Sequence, residues 1–158
     1  MFRSGIGYDA HRFGEDRKLV LGGVEIPHRR GLEGHSDADV LTHAIADALL
    51  GAIGERDIGH HFPNSDESIR GISSLEILRR VGEIVAAKKC RVANLDATLI
   101  AEAPKIGPHL DAMREKISAA LGIDVGQVGI KATTNEGMGA VGRGEGMAAM
   151  AVASVEVE

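Results

Sequence analysis

The pattern of apolar and polar positions predicts a chain in which strands and amphipathic helices follow one another. Residues 2–13 and 91–101 alternate with a period of two, as strands do. Residues 127–134 and 146–157 predict two further strands, and alternate alanines in the last indicate close packing on one face. Residues 18–26 predict two short strands joined by a Gly-Gly turn.

A first helix follows a polar loop over residues 27–34. Ser36 is a suitable N-cap, and Asp37 and Asp39 would lie in the first turn, where acidic side chains favour the helix dipole. An apolar stripe then continues to about Ile53. The pattern therefore predicts one helix from Ser36 to this point.

Two more helices follow a long loop. Residues 54–72 are rich in Gly, Pro, Asn, Asp and Ser and predict a long loop, and loops of this length are often functional or disordered. The residues Ser73-Ser74-Leu75-Glu76 predict a capping box for a helix over 74–89. Pro108 predicts the first turn of a third helix that ends near Gly122.

The order of these elements predicts one domain over residues 1–158 with an α+β fold, an α/β sandwich. Helices would cover one face of a mixed β-sheet. Aromatic residues make up only 3% of the chain, and tryptophan is absent. The other sheet face therefore lacks large side chains to fill a second layer, and we expect it to pack against other subunits in an oligomer.

Composition excludes several classes of protein. The net charge of −5 argues against non-specific nucleic-acid binding, which needs a basic surface. The single cysteine, Cys90, allows no intrachain disulfide, which fits either a reducing compartment or a protein indifferent to redox state. No apolar run is long enough to span a membrane, and the N-terminus lacks the core of a signal peptide. These features predict a cytoplasmic protein with neither membrane nor nucleic-acid partners.

Asp9, His11 and His43 form the most informative set of residues. Asp9 and His11 are two apart on a predicted strand and would point to one face, whereas His43 lies on the first helix. Three such ligands with an open position are typical of catalytic zinc, and they would also suit non-haem Fe(II). Asp39 or Asp47, four residues from His43, could orient its ring. The alternative is that all three are ordinary polar residues.

Other segments carry groups that suit a phosphorylated ligand. His35 and Ser36 precede the first helix, whose N-terminus would favour a phosphate. The 57–59 and 62–66 segments could bind a polyol, although a solvated loop has the same composition. Small residues over 101–106 would let a flat ring approach the backbone.

The segment from Lys131 to Gly146 is the richest in candidate chemistry. Hydroxyls of Thr133 and Thr134 and exposed amides would cradle phosphate oxygens, and Glu136 could hold a hard cation such as Mg²⁺. It is not a Walker A loop, because no Gly-Lys-Ser/Thr sequence closes it.

Together these segments closely resemble the family of 2-C-methyl-D-erythritol 2,4-cyclodiphosphate synthases of non-mevalonate isoprenoid biosynthesis. The resemblance covers nearly the whole chain. It is carried by Gly7-Tyr8-Asp9-Ala10-His11, His35-Ser36-Asp37-Ala38-Asp39, His43, Asp57-Ile58-Gly59, Phe62-Pro63, Ala101–Ile106, Lys131–Glu136 and Gly142-Arg143-Gly144-Glu145-Gly146.

The resemblance implies a homotrimer with active sites at subunit interfaces. The family's substrate is 4-diphosphocytidyl-2-C-methyl-D-erythritol 2-phosphate, whose 2-phosphate attacks the β-phosphorus and releases CMP. It further implies that Asp9, His11 and His43 bind Zn²⁺ and that Glu136 holds Mg²⁺ or Mn²⁺. His35 and Thr134 match the residues assigned to transition-state stabilisation.

The resemblance also implies a set of substrate-binding residues. Those for the methylerythritol part are Ser36, Asp57, Ile58, Gly59, Phe62, Pro63, Asn64, Ser65 and Asp66. Those for the cytidine and phosphate part are Ala101, Glu102, Ala103, Pro104, Lys105, Ile106, Thr133 and Asn135. Arg143 and Ala140 match positions near the trimer axis, where the family can bind isoprenoid diphosphates.

Three positions depart from the family pattern. Asn64 stands where an acid is expected, which would weaken a polyol contact while leaving Asp66. Asn135 replaces a threonine, with little consequence because Thr133 and Thr134 remain. Ala140 is smaller than the aromatic of some members, which predicts a wider axial cavity.

Two other functions fit the same residues. One is a metal-dependent phosphohydrolase in which water is the nucleophile. The other is a trimeric binding protein with structural zinc, which would need a fourth protein ligand. His60 and His61 are the nearby candidates for that ligand.

Overall fold

The computed structural model describes residues Met1–Glu158. Its strands are β1 (Phe2–Gly14), β2 (Leu19–Leu21), β3 (Val24–Ile26), β4 (Gly31–Leu32), β5 (Cys90–Ile100), β6 (Val128–Thr133) and β7 (Gly146–Val157). Its helices are α1 (Val40–Ala52), α2 (Ile58–His61), α3 (Ser74–Ala87), α4 (Leu110–Leu121) and α5 (Gly139–Gly142). Short 3₁₀ turns cover Glu67–Ile69, Gly107–His109 and Val125–Gln127.

The main sheet is mixed, as the order of elements predicts. Its strand order is β4-β1-β7-β5-β6, in which only β5 and β6 are parallel neighbours, and β2 and β3 form a separate hairpin. Helix α1 packs on β1 and β7, α3 packs on α1 and β5, and α4 packs on α3 and β6. The α+β prediction, with helices on one sheet face, is confirmed. None of the helices combines the length and apolar character of a membrane span.

Small residues bring α1 unusually close to the sheet. A Cβ atom built on Gly7 would lie 1.9 Å from the carbonyl oxygen of Ala44, and one on Gly5 would lie 2.2 Å from that of Ala48. The alternate alanines of β7 are buried on this same side, as predicted. This close contact sets the distance between a side chain on β1 and one on α1.

The opposite face of the sheet has an apolar patch with no cover in this chain. Ile6 pairs with Val152, and Tyr8 pairs with Met150, across the antiparallel β1–β7 ladder. These four residues are 79%, 45%, 61% and 54% exposed, respectively. Exposed apolar groups that adjoin one another mark interaction surfaces.

The predicted start of α1 is wrong by three residues. The N-cap is Asp39, whose carboxylate accepts hydrogen bonds from the Thr42 backbone and hydroxyl at 3.0 and 2.7 Å. It also accepts from the amides of Gly22 and Gly23, at 2.9 and 2.8 Å. Ala38 has a left-handed φ of 56°, which stops any helix from beginning at Ser36. Neither Asp37 nor Asp39 therefore lies in the first helical turn.

The predicted capping box of α3 is also wrong. Ser73 occupies the N-cap position but makes no side-chain capping bond. Instead, the Ser74 amide donates to the Asp37 carboxylate at 3.0 Å, so a distant acid caps this helix. Residues 54–72 contain α2 and a 3₁₀ turn, and residues 27–34 contain β4, which the composition of these segments did not indicate.

Three local predictions are confirmed. Gly22 and Gly23 form the turn between β2 and β3 with φ values of 57° and 74°. Pro108 lies in the 3₁₀ turn that leads into α4. Gly122 caps the end of α4 with a left-handed φ of 64°, which glycine adopts without strain.

Candidate metal centre and substrate cavity

The structure brings Asp9, His11 and His43 together. Strand β1 places Asp9 and His11 on the side that faces α1, and α1 supplies His43 from its first turn. An Asp9 carboxylate oxygen lies 2.7 Å from His11 Nε2 and 3.2 Å from His43 Nδ1. One ligand atom of each side chain lies within 4.8 Å of the others. The predicted set of three metal ligands thus converges on one point.

The protonation pattern of His11 fits a cation at this point. Its Nδ1 atom lies 2.7 Å from the Glu33 carbonyl oxygen, which can only accept a hydrogen bond. Nδ1 therefore carries the proton, and the Nε2 lone pair faces Asp9. Nε2 is buried and lies 2.7 Å from an Asp9 carboxylate oxygen. An unprotonated imidazole nitrogen and a carboxylate oxygen are the kinds of ligand atom that a divalent metal needs.

Electrostatics keep the acid of this cluster ionised. Burial on its own raises the pKa of the Asp9 carboxyl, but the adjacent His11 and His43 outweigh burial and lower that pKa to about 2. Burial on its own lowers the pKa of His11, whereas the Asp9 carboxylate raises it, and the net direction is upward. Asp9 is thus available as an anionic ligand throughout the neutral range.

No fourth protein ligand completes the cluster. His61 Nε2 lies 3.3 Å from the Glu55 carboxylate, and the rings of His60 and His61 pack edge to face. The group that could hold a metal consists of Asp9, His11 and His43 alone. The residues therefore fit a metal with an open coordination position, and a closed structural zinc site loses its main support.

A cavity of about 200 Å³ opens beside the three ligands. Of the predicted site residues, those that line it are His35, Ser36, Ile58, Gly59, Phe62 and Asn64. The Nε2 atom of His35 is buried and has no hydrogen-bond partner. Polar atoms without partners beside a cavity are free to meet a ligand.

Other predicted residues of this segment act on the backbone. Asp57 caps α2 through the Gly59 amide at 3.2 Å, and Asp66 caps a 3₁₀ turn through the Ser68 amide at 3.0 Å. Asp57, Pro63, Ser65 and Asp66 do not line the cavity.

Sequence reasoning missed the apolar wall of the cavity. Ile69, Ile72 and Ile77 line it together with the polar side chains. The signal was present, because two isoleucines stand three residues apart in an otherwise polar segment. Arg17 was also missed: it donates to the carbonyls of Gly34 and Ser36 at 3.0 and 2.9 Å and so fixes the loop before α1.

A second group of predicted residues lies at the carboxyl ends of β5 and β6. Ile100 pairs with Thr133 in the parallel ladder, so the loops after both strands meet at one edge. The Glu102 carboxylate accepts from the amides of Asn135 and Gly137 at 3.0 and 3.2 Å and ties these loops together.

Within that group, the side-chain amide of Asn135 donates to the Met138 carbonyl at 2.8 Å. Lys105, Thr134 and Glu136 are exposed.

The two groups of residues stay apart within one chain. Ala10 of β1 and Ile100 of β5 both pair with Ala148, which places the groups at the same end of the sheet. No residue of the second group lines the cavity beside the metal ligands, and Glu136 does not join the metal cluster. Within one chain the two groups, each of which would form a half-site of a shared active site, are therefore separate.

The predicted axial residues, Ala140 and Arg143, lie outside both of these groups. Ala140 lines a groove between α5 and the ends of β1 and β7, together with Arg12 and Glu145. Arg143 Nε lies 2.6 Å from the Glu145 carboxylate. The structure thus places Ala140 in a groove that His11 also lines, whereas Arg143 pairs with Glu145 just before β7.

The predicted partners of His43 are wrong. The Asp39 carboxylate accepts from the Gly22 amide in the β2–β3 turn, and the Asp47 carboxylate accepts from the Ile58 amide at 2.8 Å. The Nε2 atom of His43 lies instead 2.8 Å from Ser74 Oγ and 3.2 Å from Ser36 Oγ.

Comparison with known proteins agrees with this geometry. A model of the YgbB family matches residues 2–156. The chain belongs to the YgbB family. It is 60% identical over 153 residues to the 2-C-methyl-D-erythritol 2,4-cyclodiphosphate synthase of Alkaliphilus metalliredigens, covering 97% of this chain and 96% of that one. The synthase of Symbiobacterium thermophilum is also 60% identical, over 151 residues and 96% of each chain.

Solved structures show the same fold. The chain superposes on a Plasmodium falciparum IspF in complex with CDP with a TM-score of 0.86 at 32% identity, covering 99% of this chain and 97% of that one. The bifunctional IspDF of Campylobacter jejuni gives a TM-score of 0.96 at 37% identity, over all of this chain and 43% of that longer one. This YgbB family member is thus an enzyme of the cyclodiphosphate synthase type, as the sequence resemblance predicts.

Proposed function

We propose that this chain converts 4-diphosphocytidyl-2-C-methyl-D-erythritol 2-phosphate to 2-C-methyl-D-erythritol 2,4-cyclodiphosphate and CMP, within non-mevalonate isoprenoid biosynthesis. An oxygen of the 2-phosphate forms a bond to the β-phosphorus, and the bond from that phosphorus to the α-phosphate oxygen breaks. The enzyme is then a phosphorus–oxygen lyase. The observation that carries the proposal is the open cluster of Asp9, His11 and His43 beside a cavity.

The cluster suits the charge of this reaction. Two anionic phosphate groups must approach each other, and Zn²⁺ held by Asp9, His11 and His43 would act as a Lewis acid that offsets their repulsion. Glu136, which is exposed, would hold Mg²⁺ or Mn²⁺ with the diphosphate. The partnerless Nε2 of His35 supports a contact with the reacting phosphate, and the exposed Thr134 hydroxyl would stabilise it from the other half-site.

The remaining predicted residues divide between the two parts of the substrate. The methylerythritol part would lie in the cavity of Ile58, Gly59, Phe62 and Asn64, whose isoleucine wall would cover its methyl group. The cytidine part would bind the 101–106 segment with Thr133. Lys105 is exposed and available to a phosphate.

A homotrimer would unite the two half-sites across a subunit interface. The exposed patch of Ile6, Tyr8, Met150 and Val152 supports this assembly, because it offers an apolar face that another copy can cover. Arg143 and Ala140 would then lie near the axis, where an isoprenoid diphosphate could bind. Residues 1–158 would act as one domain in each subunit.

Product analysis tests the reaction. The purified protein would be incubated with the cytidine diphosphate substrate and Mg²⁺, and ³¹P spectra would be followed with and without a zinc chelator. We expect CMP and a cyclic diphosphate, both lost on chelation. CMP with an open-chain product would indicate a phosphohydrolase, and CMP binding without turnover would indicate a binding protein.

Subunit mixing tests the shared site. His11→Ala and Lys105→Ala disable different half-sites, so mixed trimers of the two inactive variants should regain part of the activity. The matched control mixes His11→Ala with His43→Ala, which disable the same half-site and should stay inactive. Equal recovery in both mixtures, or no recovery in either, would contradict the proposal that each site is built from two subunits.

A further inference from the structure

The Nε2 atom of His43 contacts the hydroxyl of a buried serine. His43 is 7% exposed, and Ser74, whose Oγ lies 2.8 Å from Nε2, is fully buried. Ser36 Oγ lies farther from the same nitrogen, at 3.2 Å. Since His43 and Ser74 are both buried, the orientation of the ring depends on the protein groups around it.

The hydrogen bonds of Ser74 determine where the His43 proton resides. The Ser74 hydroxyl donates to one oxygen of Asp37, and the Ser74 amide donates to the other at 3.0 Å. A serine hydroxyl has one proton, so Ser74 Oγ can only accept from His43 Nε2. Nε2 then carries the proton of the neutral ring, and the Nδ1 lone pair faces Asp9.

We propose that Ser74 and Asp37 are positioning residues that hold His43 in the tautomer that binds the metal through Nδ1. The inference rests on the metal site of the proposed function and extends it to two residues outside the ligand set. Asp37 acts through Ser74, and Ser74 acts through His43. The Glu33 carbonyl does the same for His11, so both imidazoles keep their protons away from the point where their lone pairs meet Asp9.

The same contacts join three parts of the fold at the metal ligand. Ser74 is the first residue of α3, His43 belongs to α1, and Asp37 precedes α1. The carboxylate that caps α3 therefore also fixes the hydroxyl against which the ring rests. A metal ligand oriented in this way resists rotation about its side-chain bonds, which is how outer partners raise metal affinity.

Zinc affinity tests the proposal on the full-length protein. Ser74→Ala removes the acceptor, and we expect the dissociation constant for Zn²⁺, measured by competition with a chromogenic chelator, to rise about 10–100-fold. Ser73→Ala is the matched control, because this exposed neighbour makes no side-chain capping bond. Unchanged affinity in Ser74→Ala would overturn the inference. Failure of the unaltered protein to bind zinc would instead overturn the proposed metal site.

Nuclear magnetic resonance of ¹⁵N-labelled histidine gives a second readout that needs no variant. In the zinc-loaded protein we expect His43 to show a protonated Nε2 and a metal-bound Nδ1. In Asp37→Asn, an amide group can donate to Ser74 and turn its proton towards His43, so we expect that signature to weaken and zinc affinity to fall. A protonated Nδ1 in the unaltered protein would refute the assignment.

Discussion

The contact between α1 and β1 predicts a sharp response to one added methyl group. In Gly7→Ala, the new Cβ would lie 1.9 Å from the Ala44 carbonyl oxygen, whereas ordinary contact begins at 3.4 Å. The obstacle is helix backbone rather than a flexible side chain. The strand and the helix must therefore separate by about 1.5 Å at this point.

The loss of stability in Gly7→Ala follows from this packing. Overfilled cores lose about 1–3 kcal/mol, and a backbone obstacle puts Gly7→Ala at the upper end, about 3 kcal/mol. For a chain of this size that corresponds to a fall of roughly 6–12 °C in the unfolding midpoint. The metal site should also suffer, because Asp9 lies on β1 and His43 on α1, and metal ligands tolerate shifts of only about 0.2 Å. We expect zinc affinity to fall more than about 10-fold.

Thermal unfolding and zinc competition at one fixed protein concentration would measure both effects. Gly51→Ala is the matched control from the other side of the same contact, because its new Cβ would lie 3.7 Å from the nearest atoms of β1. Alanine there should leave stability unchanged or raise it by up to about 1 kcal/mol. If Gly7→Ala unfolds within 2 °C of the unaltered protein, with about the same zinc affinity, the spacing argument is refuted.

Three further perturbations address other parts of the structure. Asp39→Asn should lower the free energy of unfolding by about 3 kcal/mol in urea titrations, because an amide cannot accept all the hydrogen bonds that the buried carboxylate receives. Unchanged stability would contradict that role. Val152→Asp should dissociate the proposed trimer in sedimentation experiments, whereas Ala112→Asp, at an exposed position of α4, should not. Thr134→Ala should lower turnover more than CMP affinity, and equal losses would reduce Thr134 to a binding residue.

Much of the metal centre could be predicted from the sequence, because the patterns that indicate it are local. A strand has a period of two, so Asp9 and His11 had to share a face whatever the rest of the fold did. The Gly-Gly turn and the glycine at the end of α4 were likewise foreseeable, since both positions need left-handed backbone. Such features depend on a few neighbouring residues alone.

Burial and hydrogen-bond partners were less predictable. His43 lies off the apolar stripe of its helix, yet it is buried, because α1 is enclosed by the sheet on one side and by α3 on the other. Ser36 has the residue type of an N-cap but does not cap, because the buried Asp39 has donors from both its own helix and the β2–β3 hairpin.

The sequence by itself determined which side chains could bind a metal and which strands and helices would carry them. Only the tertiary structure decided how far α1 lies from β1, which carboxylate caps α3 and which hydroxyl faces His43. Local preferences act over a few residues along the chain, whereas a buried polar group must find its partner wherever packing brings one. Ser74 stands 31 residues after His43, and no pattern within one helix could have paired them.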